Sequence, residues 1–208
     1  MRMSGKALGI LVLLRVGVDL VWDVDRIARS LHFGPAIDPL ILAVAALVLV
    51  LLRVVVRFGV WRLVADRRWA WLALAAFLLS LPGAVASLIL FTGVFHESAA
   101  VAFSLVWIGL VGEFVFPLAL LLTEVVPGWV GLLGMAVVLF NAVRTLAFYV
   151  AGNTSAYWFI TFNPLAADFA AAAETVFMVA LAVSLIRGFG PDAPASNKRI
   201  ERTPRALS

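Results

Sequence analysis

The sequence predicts an all-α fold, namely an integral membrane bundle of six transmembrane helices. Hydrophobic residues make up 64% of the 208 residues and charged residues only 13%, whereas soluble domains average about 45–50% and about 25%. The mean hydropathy is +1.08. The apolar residues fall into six runs, and Lys and Arg gather at the ends of those runs. A soluble fold could not bury so much apolar surface, so lipid is the expected solvent for most of the chain.

The six predicted spans follow the apolar runs. In chain order they cover residues 7–22, 39–56, 69–91, 98–122, 129–150 and 163–187. The first is short, but a helix could continue from it to about Leu31. The third to sixth reach the roughly 20 residues that cross the hydrocarbon core at about 1.5 Å per residue. We therefore expect one transmembrane domain over residues 1–190 and a basic, disordered cytoplasmic tail over residues 191–208.

Helix-start and helix-kink signals support these bounds. Asp38 is a good N-cap for the second span, and Pro39 fits the first helical position after it. The pair Asn163-Pro164 gives the sixth span the same type of start. Pro82, followed by a glycine, predicts a kink in the third span.

The distribution of Lys and Arg predicts that both termini are cytoplasmic. Twelve of the sixteen basic residues lie in the segments that this topology places inside, and Arg26 and Arg29 are the two outside. The twelve are Arg2, Lys6, Arg53, Arg57, Arg62, Arg67, Arg68, Arg187, Lys198, Arg199, Arg202 and Arg205. The expected location is the plasma or inner membrane. Because the basic residues mark span ends and form no basic face, nucleic-acid binding is not expected.

A basic segment joins the second and third spans. Residues 53–68 alternate arginines with Val, Phe, Trp and Leu. This pattern is typical of the cytoplasmic end of a span or of a short amphipathic segment in the membrane interface. We expect its arginines to lie near anionic lipid head groups. They are Arg53, Arg57, Arg62, Arg67 and Arg68.

Six polar residues inside the predicted spans are the candidate functional residues. They are Arg15, Asp19, Glu113, Asn141, Arg144 and Glu174. A charge at the centre of a span costs about 2.5–3.5 kcal/mol on insertion scales, so such side chains are expected to face the bundle interior or a water-filled cavity. They could form a ligand pocket or a proton route, or they could simply hold helices together.

Depth along the helices predicts how the charged residues pair. At about 1.5 Å per residue, Arg15 and Glu113 fall at similar depths, and Arg144 comes within side-chain reach of Glu174. We therefore predict the pairs Arg15–Glu113 and Arg144–Glu174, which leave Asp19 without a cation. The local alternative pairs Arg15 with Asp19, because residues four apart share one helix face.

No cofactor is evident from the sequence. The chain has no cysteine, so disulfides and thiolate metal sites are excluded. His32 and His96 fall in predicted outer loops and are weak metal candidates, because no third ligand accompanies them. Nearby Asp23, Asp25 and Asp38 are interpreted as solvated loop acids. Sequence signatures of nucleotide binding, serine hydrolases and zinc peptidases are lacking, so an enzyme is the less favoured interpretation.

Three functions remain open. The favoured one is a non-enzymatic protein that binds a lipid or small ligand, or that serves as a subunit of a membrane complex. The second is a small transporter or channel that uses the Arg and Glu residues within the spans, and the third is an intramembrane enzyme that modifies lipid. The glycines Gly128, Gly131 and Gly134 would allow close helix packing within the bundle or in a homo-oligomer.

Overall fold

The computed structural model describes residues 4–30, 37–92, 99–152 and 157–188. Within these ranges the side chains of 26, 27, 29, 30, 39, 87–92, 99–104, 106, 144–152 and 157–167 lie outside the description. The described part contains six α-helices and no strand, which confirms the all-α class. The helices are α1 Gly5–Ser30, α2 Pro39–Val64, α3 Ala70–Thr92, α4 Ala99–Leu122, α5 Gly128–Gly152 and α6 Tyr157–Arg187.

The ends of α2 show where the sequence signals are right and where they mislead. The side chain of Asp38 accepts a hydrogen bond of 2.7 Å from the backbone N–H of Leu40, which confirms the predicted N-cap. The predicted end at Val56 is wrong, because α2 continues to Val64. The arginines that suggested an exit from the span lie on a continuing helix, since arginine is a good helix former.

For the other helices, the predicted starts and ends agree with the structure only in part. Helix α6 begins at Tyr157, so the predicted N-cap Asn163 is wrong and lies inside the helix. Helix α3 remains one helix through Pro82. The predicted tail, 191–208, lies outside the described residues.

The six helices form a closed ring. Each helix packs against its neighbours in the chain, and α1 also packs against α6. Neighbouring helices run antiparallel, since Gly5 at the start of α1 lies against Leu185 near the end of α6. At the same end of the bundle, Arg67 donates a hydrogen bond to the carbonyl of Thr123, just after α4. We call this end, where α1 begins and α6 ends, the basic end; its exposed cations are Lys6, Arg62, Arg68 and Arg187.

Glycines set the closest helix contacts. A Cβ on Gly109 of α4 would lie 2.7 Å from the Cα of Gly83 in α3, so these backbones touch. A Cβ on Gly9 of α1 would lie 2.8 Å from the carbonyl oxygen of Ala182 in α6. Small residues permit this approach, which van der Waals contact stabilises.

The predicted glycine face of α5 packs inside the bundle. A Cβ on Gly131 would lie 2.8 Å from the Cβ of Leu121 in α4, and one on Gly134 would lie 2.6 Å from the ring of Phe177 in α6. Gly134 and Gly131 therefore serve contacts within the chain, which is the first of the two roles that the sequence allowed.

Among the described side chains, a buried apolar cluster lies in the half of the bundle nearest the basic end. Its residues come from the first half of α1 and α3, the second half of α2, α4 and α6, and the start of α5. Among them Val12, Val60, Leu120 and Leu181 have no exposed surface. These side chains pack closely against one another.

The outward surface is apolar on every helix. Near its middle, each helix has at least one large hydrophobic side chain with half or more of its surface accessible. One example from each of α1 to α6 is Leu14, Leu51, Leu78, Val111, Leu139 and Val176. On α2 the exposed apolar residues recur every three or four positions and so form a continuous stripe; they are Leu40, Ile41, Val44, Leu47, Leu51, Val55 and Phe58.

Two helical stretches within the described residues are long and apolar enough to cross a membrane. They are Leu40–Val64 and Asp168–Arg187. Only 22% and 39% of their apolar stretches are buried in the bundle, so neither resembles the buried central helix of a soluble domain. The shorter apolar stretches are Ala70–Ala86, Trp107–Leu122 and Gly128–Val143.

Candidate functional site

The first group of charges in the ring joins α1 to α6. Arg15 of α1 is only 2% exposed, and its Nη2 atom lies 2.5 Å from the Oε1 atom of Glu174 in α6. Its Nε atom lies 3.4 Å from the Oδ2 atom of Asp19, one turn further along α1. We call Arg15, Asp19 and Glu174 the acidic triad, because two carboxylates share one guanidinium. Its formal net charge is negative.

The second group joins α2 to α4 across the ring. Arg57 is also 2% exposed and forms an ion pair through Nη2 with Glu113 of α4. Arg53, one turn earlier on α2, places Nη1 3.5 Å from the Oε1 atom of the same carboxylate. We call Arg53, Arg57 and Glu113 the basic triad, because two guanidinium groups share one carboxylate. Its formal net charge is positive.

An aromatic ring completes the surroundings of Arg57. The Cζ atom of Arg57 lies 5.3 Å from the ring centroid of Phe116, one turn after Glu113 on α4. This cation–π contact is worth about 2 kcal/mol when it is shielded from water. The buried Nη1 atom of Arg57 has no hydrogen-bond partner among the described residues. The ring therefore compensates in part for a donor that lacks an acceptor.

A partly open cavity of about 240 Å³ is lined by residues of both triads. The basic triad contributes Arg53 and Glu113 to its wall, the acidic triad contributes Glu174, and α5 contributes Asn141. The rest of the wall is apolar and consists of Leu110, Phe116, Pro117, Val137, Val138, Phe177 and Met178. The three charged wall residues retain 29–36% of their side-chain surface, so charge is presented to the cavity rather than sealed between helices.

The apolar core closes the cavity toward the basic end. Val60 lies two turns beyond Arg53 on α2, and Leu120 and Leu181 lie two turns beyond Glu113 and Glu174. All three are fully buried. The described side chains thus form a pocket with a packed floor, which can hold a small molecule with both polar and apolar parts.

The predicted pair Arg15–Glu113 is wrong. Arg15 contacts Asp19 and Glu174 instead, so the local alternative is present. Depth along a helix does not specify position around the ring, where α1 lies beside α6. The late start assumed for α6 added to the error, because it placed Glu174 too close to the opposite end. Glu174 lies roughly 20 Å along α6 from Arg187, and Arg15 lies roughly 15 Å along α1 from Gly5. The two residues are therefore at similar depths from the basic end.

Arg53 and Arg57 are the site residues that sequence analysis missed. Both were assigned to the end of a span or to an interfacial segment near lipid head groups, whereas in the structure their side chains pair with Glu113. Ten basic residues then remain on the side predicted to be cytoplasmic, so the charge asymmetry persists. The available signal was their spacing: residues four apart lie on one helix face, and only apolar residues separate them.

The other predicted site residues divide into two sets. Asn141 lines the cavity. The side chain of Arg144 and both histidines, His32 and His96, lie outside the described part of the chain, so the pair Arg144–Glu174 stays a prediction. Among the described residues, no group of three or more His, Cys, Asp or Glu side chains could hold a metal ion.

Asp25 is a buried structural residue rather than a solvated loop acid, whereas Asp38 is exposed and caps a helix. Asp25 is 3% exposed and accepts a hydrogen bond of 3.2 Å from the backbone N–H of Ile37. It thereby ties the end of α1 to the residue that precedes the N-cap of α2. Asp38 is that cap.

No protein-family model, no curated protein and no solved structure matches this chain. Its function must therefore be argued from the geometry of the cavity and its two triads.

Proposed function

We propose that this chain is a six-span protein of the plasma or inner membrane, with both termini in the cytoplasm, whose central cavity binds a small ligand without transforming it. The apolar outer surface supports the membrane assignment. Soluble monomers rarely expose apolar patches of more than a few hundred Å², whereas here all six helices expose large hydrophobic side chains. Polar groups inside and apolar groups outside suit a bundle whose solvent is lipid.

The basic end supports the orientation. Arg62 stacks on Trp61, and Arg68 stacks on Trp69, with Cζ-to-centroid distances of 5.8 and 5.5 Å. Trp129 is exposed at the same end. Tryptophan and arginine are typical of the level of lipid head groups, and arginine marks the cytoplasmic side.

Single cysteines test the six spans, because the natural chain contains none and so gives no background. The substitutions Leu14→Cys, Leu51→Cys, Leu78→Cys, Val111→Cys, Leu139→Cys and Val176→Cys place one thiol at mid-helix on each outward face. A water-soluble maleimide should fail to label them in isolated membranes and should label them after denaturation in SDS. Labelling of any one in intact membranes would exclude lipid from that helix face.

The orientation has its own pair of variants. Arg68→Cys lies at the basic end, and Leu40→Cys lies at the opposite end of α2. In intact cells stripped of any outer barrier, an impermeant maleimide should label Leu40→Cys alone. Arg68→Cys should react only after permeabilisation, and the reverse pattern would contradict the topology.

The cavity carries the functional proposal. If the charges served only to hold helices together, they would be expected to form tight pairs with no space beside them. Instead residues of both charged groups line a space of about 240 Å³, and three of these charged residues stay partly accessible. Buried ion pairs often stabilise no more than apolar residues of the same volume, so retention of charge beside a cavity favours ligand binding.

Native mass spectrometry of the protein extracted in its own lipid tests this proposal. We expect a discrete added mass on the wild-type protein. Val138→Phe fills the cavity wall and should remove that mass, whereas Leu139→Phe, the next residue, points outward and should retain it. A bare wild-type protein, or equal retention by both variants, would contradict ligand binding in this cavity; a second subunit bound in its place would favour the complex-subunit interpretation.

A transporter is the second candidate, because the cavity is partly open and lies near the middle of the helices. Transport would require the packed floor around Leu120 to open in a second conformation. Val138→Cys distinguishes the two functions in sealed vesicles of both orientations. Labelling from both sides supports alternating access, whereas labelling from one side supports a binding protein.

A further inference from the structure

We infer that the ligand of the central cavity is a zwitterion, whose anionic group binds the basic triad at Arg53 and whose cationic group binds the acidic triad at Glu174. This inference rests on the proposed ligand-binding function and specifies its ligand class. It follows from the separation of charge across the cavity, not from the presence of charge alone.

The two triads carry opposite residual charges. Arg53 and Arg57 share the single carboxylate of Glu113, so within this triad one guanidinium has no carboxylate of its own. On the other side, Asp19 and Glu174 share the single guanidinium of Arg15, so one carboxylate remains in excess. Counted formally, the whole cluster is neutral, but each side of it is not.

The excess charges belong to the cavity wall. Arg57 and Arg15 are each 2% exposed and thus lie behind the wall, whereas Arg53 and Glu174 both line the cavity and retain 36% of their side-chain surface. Among the described side chains no ion pair within 4 Å links one triad to the other, although Arg53 lies within electrostatic range of Asp19 and Glu174. A ligand between Arg53 and Glu174 is therefore presented with a cation on one side and an anion on the other.

A ligand with a single charge fits this arrangement poorly. An anion would satisfy Arg53 but would lie across the cavity from Glu174, and a cation would meet the opposite problem. A zwitterion satisfies both, and in a medium of low dielectric constant each pairing is stronger than in water. Phe177 and Met178 offer apolar contact to the methylene groups between its charges.

A zwitterion of this type could be a free ω-amino acid or the head group of a phospholipid. The experiment uses wild-type protein in nanodiscs and measures Tm with 4-aminobutyrate, and with butyrate and butylamine as controls that each lack one charge. A parallel arm uses native mass spectrometry to compare retention of phosphatidylethanolamine, a zwitterion, with that of phosphatidylglycerol, an anion. Binding to the folded state raises Tm.

A Tm increase with 4-aminobutyrate alone would support a free zwitterion, and retention of phosphatidylethanolamine alone would support a lipid head group. If butyrate or butylamine acts as strongly as 4-aminobutyrate, or if phosphatidylglycerol is retained equally, the zwitterion inference fails while ligand binding stands. If no probe binds and the purified protein also carries no added mass, both proposals fail.

Charge reversal sharpens the test for a free zwitterion. Arg53→Glu makes the basic triad negative, and Glu174→Arg makes the acidic triad positive. Each variant should weaken 4-aminobutyrate binding by about tenfold or more, because a hydrogen bond to a charged group is lost. The double variant restores opposite charges with reversed polarity, and a small solute can turn around to match. Its affinity should return to within severalfold of wild type; failure to recover in a correctly folded double variant would overturn the assignment. Arg53→Gln and Glu174→Gln provide milder variants, and each should also lose about tenfold.

Discussion

Helix α4 has two faces that illustrate two different uses of its sequence. On one face Gly109 and Gly112 bring its backbone against α3, where a Cβ on Gly112 would lie 2.9 Å from the carbonyl carbon of Leu79. The adjoining face carries Glu113, one turn after Gly109, which holds the two arginines of the basic triad. The glycine face has no cavity beside it and no charge, whereas the face with Glu113 has both a cavity and a charge.

The comparison separates stability from function. Close contact between glycine surfaces gains dispersion energy and leaves no polar group unsatisfied. The charged face gains little net stability, because desolvation offsets much of the attraction between its ions. Variants of the glycine face should therefore reduce stability alone, whereas variants of the charged face should alter stability and ligand binding together.

The largest expected effect is that of Glu113→Gln. It leaves the buried Arg57 without a counter-ion, which for a buried pair lowers the free energy of unfolding by about 3–5 kcal/mol. The double variant Glu113→Gln with Arg57→Met removes the buried charge as well and should recover most of that loss. SDS titration of the protein in mixed micelles measures both values.

The same double variant tests the division of roles. It should recover stability and still fail to bind the ligand, because Arg53 has lost the carboxylate that positions it. Equal loss of stability in the single and double variants would mean that Arg57 does not depend on Glu113.

The next largest effect is expected from Gly109→Ala. The added methyl would lie 2.7 Å from the Cα of Gly83, so α3 and α4 must separate; overpacking of this kind costs about 1–3 kcal/mol. Gly17→Ala is the matched control, because Gly17 is exposed and has nothing within 4 Å of the added Cβ. The control should raise stability slightly, since alanine favours a helix over glycine by about 1 kcal/mol.

Ligand binding provides the contrast between these variants. Gly109→Ala should leave the ligand affinity of the folded fraction unchanged, because its contact is with Gly83 of α3, which is not part of the cavity wall. A loss of affinity in Gly109→Ala that equals the loss in the Glu113 variants would mean that the two faces of α4 act as one unit.

Much of the fold could be predicted from the sequence, because it depends on local patterns. Apolar runs define the six helices, and the cap at Asp38 depends only on residues within two positions of it. The polar residues Arg15, Asp19, Glu113 and Glu174 were also identified, since a charge in an apolar run is conspicuous whatever its partner.

The partners of these residues could not be predicted in the same way. The order of helices around the ring decides that Arg15 meets Glu174, and this order is set by which glycine surfaces fit, such as Gly9 against Ala182. Arg53 and Arg57 were missed because composition alone does not distinguish an arginine at the end of an apolar run from an arginine inside one. Only their spacing of four residues distinguishes the inward pair.

The smallest expected effect is that of Asp19→Asn. Asp19 pairs with Arg15 on the same helix at 3.4 Å, and its side chain is 30% exposed; partly exposed pairs of this spacing contribute about 0.3–0.5 kcal/mol. Arg15 retains Glu174 at 2.5 Å, so α1 and α6 stay joined. The charge of the acidic triad, however, changes from negative to neutral.

Asp19→Asn therefore separates charge from packing more cleanly than any other substitution at this site. Its free energy of unfolding should stay within about 0.5 kcal/mol of wild type, while the affinity for 4-aminobutyrate should fall, because Glu174 is then fully neutralised by Arg15. Glu124→Gln, which changes an exposed acid just after α4, is the control and should change neither quantity. Unchanged affinity in Asp19→Asn would show that the excess negative charge of the acidic triad does not bind the ligand, whatever the contribution of Glu174 to stability.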